Sequence, residues 1–190
     1  MSWIRLVEPE AAPPEVAALY ARGRAASSRG EVAHLWRALG GDAALLDAAH
    51  ALYRAAMANP APLTPAQAEM IAVVVSATNG CGYCVSHHGP KLAAALGSEP
   101  LARAVAADDR EADLAARDRG LLDAAVALTC EPDERKREDV ERLREYGFDD
   151  AGIAKATAIA AYYNFSNRLV LALGIELEPG REAWGFGAQV

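Results

Sequence analysis

The sequence is poor in cysteine, in aromatic residues and in long apolar runs, and each shortage excludes something. Three cysteines in 190 residues are too few for the disulfide framework of a small secreted protein. Two of them sit together as Cys81-Gly82-Tyr83-Cys84, a pattern that in a reducing compartment reads as reactive or metal-binding. Aromatics make up only 6% of the chain, and the one run that tempts a strand assignment is Val73-Val74-Val75, so a sheet has no second strand to pair with it. The longest apolar stretch, around residues 70–75, falls well short of the roughly 20 residues that span a bilayer. The opening MSWIRLVEPE has no segment suited to a signal peptide, so a cytoplasmic protein without membrane association is expected. Basic side chains are in deficit too. Nineteen Lys and Arg stand against 26 Asp and Glu, a net charge of −7, which argues against broad phosphate or nucleic-acid binding.

What is present is alanine, close to a quarter of a chain that is 52% apolar. That excludes disorder and points to a core of small side chains between closely approaching helices. The expectation is a single all-α domain over residues 1–190: a helical core at about 15–175, a flexible, extended arm over 1–13, and a Pro/Gly-containing tail over 175–190 that wraps a neighbouring surface. Helices are expected at about 14–27, 32–39, 42–57, 64–78, 81–96 with an interruption at Gly89-Pro90, 100–107, 111–129, 134–146 and 150–173. The clearest start is Thr64-Pro65-Ala66-Gln67, a capping box with proline at the first helical position. Asp42, Ser98 and either Asp149 or Asp150 supply further caps. The valine run is assigned to a buried helix.

Chemistry concentrates in residues 69–88, EMIAVVVSATNGCGYCVSHH. Cys81, Cys84 and His88 are spaced by three and four residues, one stripe of a helix, with His87 on its flank. A cysteine at a helix start is favoured as thiolate; Cys81 sits there, Cys84 would gain similarly, and an imidazole one turn on can take a proton. Glu69, on the preceding helix, can face this stripe if the Asn79-Gly80 turn folds the two helices together. These parts suit thiol redox chemistry, in which one sulfur attacks and the other resolves. A zinc site is the competing use of Cys81, Cys84 and His87 or His88; it needs a fourth ligand, for which His50 or Cys130 would have to arrive from elsewhere.

The arrangement Glu69, eleven residues, Cys81-x-x-Cys84, three residues, His88 resembles the motif of alkyl hydroperoxidase D-like proteins of the carboxymuconolactone decarboxylase superfamily. NGCGYCVSHH and the later AIAAYYNFSNRLVLALG look like its peroxidase-related branch. The resemblance spans about residues 15–175. It implies an all-helical domain in a homo-oligomer (dimer, trimer or hexamer), with Cys84 attacking peroxide, Cys81 resolving, and His88 with Glu69 as proton relay. The expected substrate is a hydroperoxide or small disulfide; no bound cofactor or metal is required, and electrons would come from a dithiol donor such as a lipoyl group or a thioredoxin-like protein. Two departures stand out. Tyr83 occupies the place of a histidine in the best-studied members, and a phenol of pKa about 10 is a poor base, although His87 is adjacent. Pro90 removes a helical hydrogen bond to Ser86 and should bend the helix.

Two other classes of function fit the same residues: an acid–base decarboxylase or isomerase using Glu69 and His88 with incidental cysteines, and a non-catalytic metal-binding module. Elsewhere the expectations are plain. Cys130 is a buried apolar filler, His34 and His50 are surface or packing residues, and Trp3, Trp36 and Trp184 fill oligomer contacts. The group Tyr162, Tyr163, Asn164, Phe165, Asn167 and Arg168 belongs to the core or a subunit contact, unless Tyr163 or Asn167 lines a pocket over the cysteines.

Overall fold

A computed structural model describes residues 2–25, 27 and 29–184. Among them the alanine-rich sequence forms nine α-helices and no strand: α1 Pro14–Ala25, α2 His34–Leu39, α3 Ala43–Met57, α4 Pro65–Thr78, α5 Gly82–Leu96, α6 Glu99–Ala107, α7 Ala116–Cys130, α8 Arg137–Glu145 and α9 Asp150–Ala172. No helix is long and apolar enough to cross a membrane among these residues. The caps are those expected. Thr64 and Gln67 exchange bonds of 3.1 and 3.0 Å at the start of α4, and Asp42, Ser98 and Asp149 accept from Leu45, Leu101 and Gly152.

α4 is the axis of the molecule. Residues 70–75 are each at most 2% exposed, so the valine run lies in a helix that is apolar all round and wrapped by neighbours. α5, α6, α7 and α9 pack on it, and each fully buried Val, Ile or Leu contributes roughly 1.5–3 kcal/mol. A second cluster, Val16, Leu19, Tyr20, Leu39, Leu46 and Ala49, joins α1, α2 and α3. A third places Leu35, Val170 and Ile175 around Cys81 and Cys84.

Several expectations need correction. Two helices start later than their patterns suggest, because short 3-10 turns at Asp109–Glu111 and Pro132–Glu134 precede α7 and α8. The arm is tied down: the Trp3 amide donates to Leu173 O and the Val7 amide to Arg37 O, both at 3.0 Å. Cys130 is exposed, since it ends α7 beyond the packed part of that helix. α5 is unbroken through Pro90. The proline ring lies on the solvent side, where a helix curved round its core opens its hydrogen bonds at least cost.

The tail turns back over its own chain. Trp184 is 4% exposed; its amide donates to Ser86 Oγ at 2.9 Å, and Arg103 stacks 4.4 Å from its ring. Trp36 meets His50 and Tyr53 edge-on. Both tryptophans thus fill intrachain contacts, and Trp3 alone of the three is largely exposed. The part of the expected tail at 185–190 lies outside the described residues.

Gly89 lets the Trp184 ring reach the helix backbone, for a Cβ there would lie 1.8 Å from a ring carbon. Gly89→Ala is expected to cost about 1–3 kcal/mol and to release the tail, seen as a lower melting temperature and faster tryptic cleavage at Arg181. Unchanged cleavage would show that the tail is held by something else.

Candidate active site

The site begins with the turn between α4 and α5. Gly80 takes a left-handed conformation, φ 69°. The Cys81 amide donates to Ser76 O at 2.8 Å, and the Asn79 side chain donates to Asn164 Oδ1 at 3.1 Å and Asn167 Oδ1 at 3.0 Å on α9. This sets Cys81 as the N-cap of α5. Both cysteines are free and buried, three residues apart at the start of α5. The neighbouring Cys84 side chain, the amides of Cys84 and Tyr83, and Asn167 draw the Cys81 thiol below its usual range against the effect of burial. The Cys81 side chain and burial push Cys84 well above it. The helix start therefore favours the charged form at Cys81 more than at Cys84. Cys84, however, is the sulfur that faces a cavity of about 610 Å³.

The turn also brings α4 and α5 together as the sequence suggested. Glu69 Oε2 lies 2.7 Å from His88 Nδ1, and the Tyr163 hydroxyl lies 3.0 Å from Nε2. Burial brings the His88 pKa down to about 4, outweighing the pull of Glu69. The ring is neutral at neutral pH; with Nδ1–H donated to Glu69, Nε2 is left as the acceptor. Glu69 and His88 are therefore paired as the spacing suggested, and His88 and Cys84 line the same cavity.

A second carboxylate–histidine pair stands beside it. Glu178, from the tail, is 5% exposed. Its Oε1 accepts from the His34 amide at 2.7 Å and the Tyr83 hydroxyl at 2.8 Å, and its Oε2 from His87 Nε2 at 2.8 Å and Arg181 Nε at 3.0 Å. Burial by itself would raise this carboxyl, but the bonds from His87, the His34 amide and Tyr83 hold it well below the usual carboxylate range. Tyr83, raised further by burial and by the Glu178 charge, stays a donor, as a phenol should. His87 is kept below its ordinary pKa by burial, and donation from Nε2 makes Nδ1 its unprotonated nitrogen. Nothing in the sequence marked Glu178, since its partners His87, Tyr83 and His34 are 91 to 144 residues away.

The helix-α9 group divides between two roles. Tyr162, Tyr163 and Ser166 line the cavity, while Asn164 and Asn167 clamp the turn. Trp36, Tyr53 and His50 complete an aromatic wall that sequence reasoning missed. His50 is a packing residue, 4% exposed, with both ring nitrogens lacking a hydrogen-bond partner; burial, aided by Arg54 and Arg22, brings its pKa to about 4. Among the described residues no group of three or more His, Cys, Asp or Glu side chains could hold a metal ion, so neither His50 nor Cys130 completes a zinc site there.

Residues 43–108 match the carboxymuconolactone decarboxylase family. No curated protein sequence matches the chain significantly. Among solved structures, it is similar to the alkylhydroperoxidase AhpD core of an uncharacterized peroxidase-related protein from Ralstonia eutropha JMP134 (29% identity, TM-score 0.87, 97% of this chain and 96% of that one). An uncharacterized peroxidase-related protein from Silicibacter sp. TM1040 is similar at 28% identity and TM-score 0.86, with 97% and 96% of the chains covered. A variant of the debrominase Bmp8, in complex with 2,3,4-tribromopyrrole, shares the fold at 21% identity and TM-score 0.77, with 94% and 95% covered.

Two measurements test this geometry. His50 and His88 are neutral when folded, with pKa near 4 against about 6.5 unfolded. The unfolded chain therefore binds more protons between those values. Stability should be level above pH 6.5 and fall as pH drops towards 4; His50→Leu should be more stable at pH 7.5, by about 1–3 kcal/mol, with a shallower acid loss in urea titrations. An acid limb identical to wild type would refute the assignment. Glu178→Gln, which leaves buried donors unpaired, should cost about 3 kcal/mol and change the His87 tautomer seen by ¹⁵N NMR; an unaltered His87 spectrum would sever the pair.

Proposed function

Because the chain is an AhpD-like member of the carboxymuconolactone decarboxylase superfamily, we propose that it is a thiol oxidoreductase reducing hydroperoxides through a Cys84/Cys81 couple. The observation that carries this reading is spatial. Cys84 lines the cavity one helical turn from a second cysteine, Cys81, at the helix start, and the same cavity is lined by His88, a neutral imidazole held by a carboxylate.

In the proposed cycle, one of the two thiol protons passes to His88 Nε2 through the Tyr163 hydroxyl, which gives its own proton to Nε2 and takes that of the thiol, leaving a single negative charge on the pair. Before attack the remaining proton resides on Cys81, so that the charge is on Cys84, the sulfur whose residue lines the cavity. Cys84 attacks the distal oxygen of ROOH; the O–O bond breaks, sulfur is oxidised to sulfenic acid, and the departing RO⁻ takes the proton from His88 as ROH. The Cys81 thiol then displaces the sulfenic oxygen as water and forms the disulfide. A dithiol donor of lipoyl or thioredoxin-like type restores both thiols and leaves as its own disulfide. Glu69 orients His88, and Glu178 orients His87 and Tyr83 at the flank. The working unit is a homo-oligomer, a reading supported by Leu45, Leu52, Phe165 and Leu171, large apolar side chains each about 40% exposed or more.

The test is a thiol count before and after a tenfold excess of cumene hydroperoxide. Wild type should lose two thiols per chain quickly, Cys84→Ser none, and Cys81→Ser one without forming a disulfide. Thiols that survive peroxide would end this reading and put acid–base chemistry by Glu69 and His88 in its place, in which case turnover survives alkylation. Full reactivity in Cys84→Ser with none in Cys81→Ser would reverse the roles.

A further inference from the structure

The cavity is far larger than thiol chemistry requires. A water-sized oxidant needs about 30 Å³, whereas about 610 Å³ opens before Cys84, within the range of sites for drug-sized organic molecules. One wall is a chain of ring contacts. Trp36 meets Tyr53 and Tyr53 meets Tyr162, each with centroids 5.9 Å apart; Tyr162 meets Tyr163 at 5.1 Å and Tyr163 meets His88 at 4.9 Å. A flat apolar body laid along this wall ends at His88, in the cavity that Cys84 also lines.

The cations around the cavity fall into two groups. Arg29 and Arg181 are committed, to Glu31 and to Glu31 with Glu178. Lys91 and Arg54 have no carboxylate partner among the described residues. The Lys91 ammonium donates to the Tyr53 hydroxyl at 3.0 Å and stands 5.7 Å from that ring's centroid, so its charge hangs over the aromatic wall. Arg54 follows Tyr53 in sequence and lines the same cavity. In a chain of net charge −7, two cations without a carboxylate partner among the described residues, at the mouth of an aromatic cavity, make a local positive field that draws in anions. His50, a buried imidazole with no hydrogen-bond partner, stands on the same wall.

We infer that the molecule received here is an organic acid with a flat, aromatic or conjugated body, its ring on Trp36, Tyr53 and Tyr162 and its carboxylate between Lys91 and Arg54. The inference takes its chemistry at Cys84 from the hydroperoxide-reductase reading: the substrate is such an acid bearing the O–O bond, consumed in the same balanced steps. Its recognition rests on the cavity alone.

Binding is tested without turnover, using the full-length Cys84→Ser protein and two isosteric probes, 2-naphthoate and neutral 2-naphthamide, by isothermal titration calorimetry. The naphthoate should bind about tenfold more tightly, the equivalent of about 1.4 kcal/mol, and the gap should narrow in high salt. Lys91→Ala combined with Arg54→Ala, both at exposed positions, should bring the two probes to equal affinity, and Tyr53→Leu should weaken both. Equal affinity at the outset, a preference that survives loss of both cations, or no binding of either probe overturns the inference. Binding as expected alongside peroxide-inert thiols in wild type would remove the redox reading and leave this one standing.

Discussion

The site depends on how α9 grips the turn between α4 and α5. Asn79 is held by Asn164 and Asn167, and Asn167 also donates to Ser76 on α4 at 3.0 Å. Ser76 and Asn167 are completely buried. A polar network satisfied in a medium of low dielectric resists distortion, because any broken bond leaves an unpaired group that water cannot reach. This network sets Cys81 at the helix start, and through the direction of α5 it sets Cys84 and His88. Glu69, on the other arm of the turn, meets His88 for the same reason.

Charge and access then fall on different sulfurs. The amides at the start of α5 draw the pKa of Cys81 down, and Cys81 is fully enclosed, while Cys84 lines the cavity and is pushed up by Cys81 and by burial. The sulfur that more readily carries charge is thus one helical turn from the sulfur that meets the cavity. The flanking imidazoles are neutral because burial outweighs their carboxylate partners. Such groups are costly to the fold: unpaired His50 and the enclosed histidines all reduce acid stability. Sites that must bind and react commonly retain costs of this kind.

Much of this was legible beforehand. The Thr64–Gln67 box, the Asp42, Ser98 and Asp149 caps and the Glu69-to-His88 spacing are local signals, read within one or two turns of chain, and the helices and the core constellation follow them. Boundaries slipped at α7 and α8, where 3-10 turns at Asp109 and Pro132 delay the helix without altering its apolar pattern. Cys130 looked buried because composition does not say where packing along a helix ends. Trp184 looked like an oligomer contact because its partner, Gly89, has no side chain to announce the fit.

Local sequence was enough to specify a helical chain, a buried helix at the valine run, and two thiols and an imidazole on one helical stripe, since periodicity and capping are encoded over a few residues. Which sulfur meets the cavity, and that Glu69 meets His88, came from the packing of α4, α5 and α9. Only the tertiary structure decided that Glu178 would supply a second carboxylate, and that Trp36, Tyr53 and Tyr162 would form one wall. Those outcomes depend on contacts between distant segments, whose energies arise from burial and convergence in space and leave no trace in local spacing.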